Sequence, residues 1–468
     1  MTTAVLERPA TQTIPKVPGM PFVGNTLDMA KDPAAFFVKC YREHGPVFKV
    51  NVFGRESIVI AGPESAMFMS SKEGRQSLRS REFWDEFVKF HGAEKSLTRE
   101  DGEVHEKLRR VMRAGFSREA VKGRYHQLTD VCDISIARDW EVGGATPVVQ
   151  AFQYMIVQQL GELLTGSAPL EYVKDIRLNV LYLLNILVTR QRPRFLLKRG
   201  EFKRAHARVR ELGQQMIQDF KGRAERGELP KNLIGDIVQA HIDDPELIPE
   251  NDLPLVLTGP YVAGLDTVAN TLAACVYGIL KTPGILENVQ AEADALFEKE
   301  TIVDKDVLKL DYINGCVKEA MRLWPIAVAQ MRMSTQSFEY AGFQIPQDEM
   351  IYIGTSVPHF MDEYFPDPMK FDPMRYEAPR KEHLQKGAYS PFGRGPHTCL
   401  GQSLAEVQMA LTMARLFHRL DLSLDPPDYV LKTKTAPTPG PAMDFKVKVV
   451  GERRAAKSLV PEVFEPKA

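Results

Sequence analysis

The chain has 468 residues, with 60 Lys+Arg against 61 Asp+Glu and a formal net charge of −1. That balance gives no reason to expect nucleic acid or an anionic membrane as a partner. Hydrophobic residues at 44 % and charged residues at 26 % make the mix of a folded protein, and 32 Gly with 32 Pro fall below low-complexity levels. At about 150 residues per domain the length alone suggests about three domains.

Residues 1–12 have no apolar run between a basic start and a small-residue cleavage site, so no signal peptide is expected. Residues 14–24 carry three prolines and read as an extended segment, with 1–13 before it as a flexible tail. A helical pattern follows over Pro33–His44. Two alternating runs, Val47–Phe53 and Ser57–Ala61, joined at Gly54-Arg55-Glu56, read as a β-hairpin. From about 100 to 245 the period is helical: Val104–Phe116, Glu119–Ile136, Pro147–Leu164, Val173–Leu187 and Phe202–Arg226. Helices are expected again at 254–281, 284–299 and 311–323. After Pro325 come short β-like runs (Glu339–Tyr340, Phe343–Ile345, Met350–Ile353), a turn-rich Pro segment over 357–398, and a last helix over Gln402–Arg419. No linker or repeat divides the chain. The expectation is a mainly α protein with a minor β portion (α+β), a single large domain over 14–468.

The five cysteines, Cys40, Cys132, Cys275, Cys316 and Cys399, are odd in number and widely spaced, without C-x-x-C. They form no disulfide framework and no Cys-rich zinc site, which points to a reducing, cytoplasmic setting. The most apolar stretch, Leu253–Leu280, is long enough to span a bilayer. Asp266 at its middle, with Pro260 and Gly264, argues for a helix buried in a protein core and against a membrane span.

Residues 391–401 read Pro-Phe-Gly-Arg-Gly-Pro-His-Thr-Cys-Leu-Gly. This is a tight Gly-rich loop that presents one cysteine just before an amphipathic helix. The helix dipole and loop N–H groups there favour thiolate, a good ligand for a soft or borderline metal. A buried structural cysteine fits the spacing equally well.

The pattern Phe392-Gly393-x-Gly395-x-His397-x-Cys399-x-Gly401 resembles the haem-binding signature of the cytochromes P450. The resemblance implies haem b with Cys399 as axial thiolate, which pushes electron density to the iron and favours O–O cleavage. Phe392, His397 and Gly401 would then contact the cofactor. The family most often has Arg where this chain has His397.

Further motifs follow in the family's order. Glu319-Ala320-Met321-Arg322 is E-x-x-R, whose ends share a helix face. It resembles the family's Glu–Arg pair, and Arg375 in Phe371-Asp372-Pro373-Met374-Arg375-Tyr376 resembles the third partner from the Pro-rich meander. Ala263-Gly264-Leu265-Asp266-Thr267 resembles the oxygen-activation motif, with Asp266 and Thr267 as catalytic proton-handling residues. Gly264 would mark where the helix opens, and Val268 stands where the family often has Thr or Ser. His105-Glu106 begins H-E-x-x-H, but Arg109 holds the second ligand's position, which excludes a zinc-protease site. The better match is the family's W-x-x-x-R, here His105 and Arg109, expected to grip a haem propionate. Arg332 in Gln330-Met331-Arg332-Met333 resembles a further propionate partner.

The resemblance covers nearly the whole chain. It implies the cytochrome P450 fold and a haem-thiolate monooxygenase that uses O2 and two electrons. No flavin or iron–sulfur module is left over, so a separate ferredoxin or flavodoxin-type protein would supply the electrons. The basic run over 107–124 would steer an acidic donor. Phe83, Phe87, Tyr261, Leu265 and Val328 are expected to line an apolar pocket for a lipophilic substrate. The rival readings are a peroxide-using relative, against which the Asp266-Thr267 pair argues, and a haem sensor without turnover.

Overall fold

The computed structural model describes residues 12–435 and 438–462. The expected tail at 1–13 thus lies almost wholly outside the described residues. Helix makes up 54 % of the chain and strand 12 %, the expected mainly α architecture with a minor β part. Backbone contacts group the chain into two compact units that interleave in sequence. One takes residues up to Ser80, Val328–Pro366 and Gln385–Thr398, and the other Arg81–Ala327, Asp367–Leu384 and the chain from Cys399 on. Interleaving is why no single linker marks a boundary.

The first unit is built on a five-stranded sheet. Its order is Val47–Val52, Arg55–Ala61, Met350–Gly354, Gln330–Ser334, Leu78–Arg79. The first two strands form the expected hairpin, with Val47 opposite Ile60 and Val52 opposite Arg55. The turn is tighter than the sequence suggests. Phe53 and Gly54 alone make it, both at positive φ (49° and 81°), as two-residue hairpin loops of the right twist require. Arg55–Ala61 then runs parallel to Met350–Gly354, Ile58 facing Ile351. Val47, Ile58, Ile60, Ile351 and Ile353 bury one face of this sheet, while Val50, Val59, Phe36 and Phe37 pack in a second cluster. The Pro33–His44 helix supplies those phenylalanines. It starts at Asp32, whose side chain accepts from the Ala35 N–H at 2.9 Å, and stops at Gly45, φ 82°.

The second unit is helical. At its centre runs Leu253–Lys281, flanked by Val148–Leu160, Gly200–Glu225 and Asp311–Leu323. The Glu250–Lys281 stretch is the one described helix long and apolar enough to cross a membrane, but 72 % of its apolar window is buried inside the protein. It is a core helix here.

Two expected helices are interrupted. Glu119–Ile136 is split into Arg118–Val121 and Tyr125–Asp139 by Gly123 at φ 77°. Pro147–Leu164 is helical over Val148–Leu160, then widens into a π turn, Gly161–Thr165, ended by Gly166 in the left-handed region. Arg81–Phe90 and Leu233–Asp243 were not expected. The second begins at Asn232, which accepts from the Gly235 N–H at 3.0 Å, a capping signal present in the sequence. A three-stranded sheet, Ala145–Pro147, Lys446–Glu452, Leu420–Asp425, closes this unit.

Candidate functional site

The residues singled out by the sequence fall in both units, and each set is described within its own unit. In the second, Cys399 lies just ahead of the Gln402–Arg419 helix, capped at Gly401. It is the one exposed cysteine of five. Its sulfur accepts from the Gly401 N–H and feels the charge of Arg109. The surrounding protein still raises the thiol above its usual range, and those two groups pull it back. A bound metal cation would complete the shift to thiolate.

His105 and Arg109 sit on the Gly102–Arg113 helix, one turn apart. His105 is buried. Arg109 is half-buried and makes no ion pair or hydrogen bond among the described residues; burial lowers its pKa, and Cys399 opposes the fall. A partly buried guanidinium without an anion is costly. A haem propionate, a carboxylate, is an anion of the kind a guanidinium here would take, so the residues present fit a haem.

In the first unit, the loop before Cys399 turns through Gly393 (φ 74°) and Gly395 (φ 78°). A Cβ at Gly393 would lie 2.8 Å from the Gln330 Nε2, and one at Gly395 2.5 Å from the Met69 carbonyl. Both conformation and crowding therefore demand glycine. The same Gln330 accepts at Oε1 from the Arg332 Nη2 at 3.0 Å. The His397 Nε2 lies 3.2 Å from the Ser80 hydroxyl. Phe392, beside Gly393, is half-buried.

The Glu319 carboxylate is a hub. Arg322 donates to it twice, at 2.8 and 2.7 Å, and Arg375 through Nε at 3.2 Å. The Tyr376 hydroxyl (2.9 Å) and the Asp372 N–H (3.1 Å) complete its shell. Glu319, Arg322 and Arg375 are 0 % exposed. Arg375 continues to Glu382 at 2.9 Å. The structure thus gathers the three residues that the sequence grouped, and adds Tyr376 and Glu382. Two glycines admit the meander: a Cβ at Gly278 would meet the Phe371 ring at 2.4 Å, and one at Gly315 the Pro373 carbonyl at 2.6 Å.

On the long helix Asp266 is buried. Its Oδ1 accepts from the Gln153 Nε2 at 2.6 Å and lies 3.8 Å from the Arg177 Nε. The Thr267 hydroxyl donates back to the Ala263 carbonyl at 2.7 Å, which leaves its oxygen lone pairs to accept. The helix is continuous through Gly264. A Cβ there would lie 2.8 Å from Leu160, so the glycine admits the neighbouring helix, a reason beyond the expected opening.

Of the expected pocket residues, Phe83 and Phe87 lie on the Arg81–Phe90 helix, Phe87 edge-on to Trp84. Leu265 is buried on the long helix. Tyr261 donates its hydroxyl to the Ser167 carbonyl at 2.6 Å and also bonds Thr165, so its polar end is committed to the fold. Val328 packs with Phe37 and Val357 in the first unit's core. Among the described residues no cluster of three or more His, Cys, Asp or Glu side chains could hold a metal ion by itself.

A model of the cytochrome P450 family matches residues 15–443, and the chain belongs to that family. It is similar to a cyclooctat-9-en-7-ol 5-monooxygenase of Streptomyces melanosporofaciens, 26 % identical over 427 residues, covering 88 % of this chain and 90 % of the relative. Abscisic acid 8′-hydroxylase 1 of Arabidopsis thaliana is 24 % identical over 433 residues, 88 % and 85 % of the two chains. Among solved structures, retinoic acid-bound cyanobacterial CYP120A1 superposes with a TM-score of 0.80 at 21 % identity, over 95 % of this chain and 100 % of that one. The P450DA heme domain does so with the same score and identity, over 95 % and 98 %. The chain is therefore a monooxygenase with a cysteine-ligated haem, using O2 and electrons from a redox partner.

Proposed function

We propose that this P450 oxidises a ring-bearing isoprenoid alcohol or acid, with Cys399 as the haem ligand and Asp266 and Thr267 handling protons. The observation that carries the site reading is the unpartnered, half-buried Arg109 whose charge reaches the Cys399 sulfur. When bound, the haem supplies the oxidising equivalent and takes electrons one at a time. The chain's own residues do the rest. Arg109 and His105 would orient a propionate edge. The Gly401 N–H tempers the sulfur's basicity. Thr267 accepts a hydrogen bond at its oxygen while its hydroxyl proton is held by Ala263, ready to be redirected.

The substrate class rests on the relatives' names: a cyclooctatenol and abscisic acid are their substrates, and retinoic acid sits in one solved neighbour. All are ring-bearing isoprenoids that carry a hydroxyl or carboxyl group. An apolar helix with Phe83 and Phe87 suits such a body. A spin-state titration with retinoic acid, abscisic acid, a steroid and lauric acid tests the proposal. We expect the isoprenoids to bind about tenfold more tightly than lauric acid, about 1.4 kcal/mol. Lauric acid binding best would discard the class and leave the haem site standing.

With a bound substrate, Thr267→Ala should keep consuming reductant while product per electron falls several-fold and peroxide rises. Unaltered coupling would remove Thr267 from proton handling.

The electron donor is, on this reading, an acidic ferredoxin or flavodoxin-type protein working in the cytoplasm, where the five free cysteines stay reduced. The basic run over 107–124 is narrower in the folded chain. Lys107 pairs with Glu103, Arg118 lies 3.8 Å from Asp304, and Arg124 donates to the Leu163 and Glu162 carbonyls. Arg110 and Arg113 are exposed and make no ion pair among the described residues. Charge reversal at Arg113 should therefore slow reduction by an acidic donor about tenfold at low salt, and reversal at Arg118 less. Stopped-flow reduction rates that ignore both Arg113→Glu and ionic strength would rule out this docking face.

A further inference from the structure

Ser390, nine residues ahead of Cys399, is held at each of its polar groups. Its N–H donates to the His359 Nε2 at 3.1 Å. Its carbonyl accepts from the Gly393 N–H at 3.1 Å, and its hydroxyl from the Arg394 Nε at 2.9 Å. Arg394 also donates to the Tyr389 carbonyl at 2.8 Å. The loop closes a second turn on itself, the Thr398 N–H on the Gly395 carbonyl at 3.1 Å. Gly393, Arg394 and Thr398 belong to the loop and would move with it. His359 comes from 31 residues upstream and gives Ser390 an external point of attachment. That point is firmly set. His359 lies on the 3-10 turn Val357–Phe360, just after the sheet strand Met350–Gly354. Its N–H donates to the Ser356 carbonyl at 3.0 Å, and the Ser356 hydroxyl bonds the Val328 carbonyl. Its ring is fully buried, 5.3 Å from the Tyr389 ring and 6.3 Å from that of Phe365. A ring nitrogen that accepts from a backbone N–H carries its lone pair there, so the imidazole is neutral with its proton on Nδ1. Packing does not supply an acceptor for a buried backbone amide, and no apolar residue of the same size replaces it.

We propose that His359 is a positioning residue for the haem ligand: its lone pair anchors the start of the 390–398 loop to the sheet, and the anchored loop keeps the Cys399 sulfur on the iron. This rests on the reading of Cys399 as the axial ligand. The loop is two closed turns with little slack, since Gly393 and Gly395 already stand where a Cβ would clash. A shift at Ser390 is therefore passed along the loop and not absorbed by it. Groups that orient a metal ligand without touching the metal typically govern its hold by about 10- to 100-fold. His359 does so through one hydrogen bond to the backbone, at a point where the chain has no side-chain ligand to offer.

Three variants of the haem-loaded enzyme decide the matter, read by the rate at which the reduced carbonyl form loses its long-wavelength Soret band. His359→Leu keeps the bulk and removes the acceptor, and its band should decay about tenfold faster than the parent's. His359→Gln carries an amide oxygen that reaches the Nε2 position, and its decay should stay within about twofold of the parent. His359→Asn carries its oxygen near the Nδ1 position, too short for Ser390, and should decay like His359→Leu. Hydrogen exchange over residues 389–398, followed by mass spectrometry, should rank the variants in the same order without reference to the haem. Where His359→Leu does not fold, the Gln and Asn variants carry the comparison. Equal decay in those two, or decay rates that simply follow the urea midpoints of the variants, would make His359 a packing residue and overturn the proposal. A parent enzyme without the long-wavelength band would overturn the Cys399 reading, and the proposal with it.

Discussion

Cys399→Ser should abolish the long-wavelength Soret band of the reduced carbonyl form and lower monooxygenase turnover by more than about 100-fold. That floor follows because altering groups that merely support a metal ligand already costs about 10- to 100-fold. A serine hydroxyl at this position is a poor donor to iron and supplies little of the electron push that a thiolate gives. The Gly401 N–H and Arg109 would remain, so the loop should still fold. The other four cysteines are buried and offer no substitute. A carbonyl spectrum of the variant that kept the thiolate band would show that another residue ligates the iron.

Arg322→Ala should destabilise the protein by about 3–5 kcal/mol, the range for removing one partner of a buried ion pair. Glu319 and Arg322 are both 0 % exposed, so the remaining carboxylate cannot turn to water. Arg375 would still donate to it through Nε at 3.2 Å, but that guanidinium also serves Glu382. Total stabilities of about 5–15 kcal/mol leave little reserve against such a loss. The expected result is a large fall in the urea midpoint, with haem release at lower denaturant. Arg322→Lys should recover only part of it, because an ammonium cannot donate the two parallel bonds that the guanidinium makes at 2.8 and 2.7 Å. An Arg322→Ala midpoint within 1 kcal/mol of the parent would count against the hub.

Much of this site is local in sequence, and that is why it could be read. Glu319 and Arg322 lie one helical turn apart, so their pairing follows from helix geometry. The loop around Cys399 carries its own turn residues, and Gly393 and Gly395 take the positive φ that glycines there suggest. The helix over Gln402–Arg419 and the strand Phe343–Ile345 were readable to the residue, since period and flanking breakers agree. What stayed hidden is long-range. Gln153 and Asp266 are 113 residues apart, and nothing in either neighbourhood names the other. Glu382 sits on a short 3-10 turn in the meander. The strand Gln330–Ser334 forms because two partners flank it, not because its sequence alternates. Tyr261 shows a long-range bond that the sequence does not announce. An aromatic on an apolar helix suggests a pocket wall, yet its hydroxyl is committed to Ser167.

The uneven burial of the cysteines has a practical consequence. Burial pushes the Cys40 thiol up to about 11 and that of Cys132 to about 12, and drives Cys275 and Cys316 higher still. Such thiols are nearly inert to alkylation while the chain is folded. Toward iodoacetamide those four thiols are withheld as long as the chain stays folded. Alkylation at Cys40, Cys132, Cys275 or Cys316 therefore marks molecules that have opened, and its rate counts unfolding events without any spectroscopy.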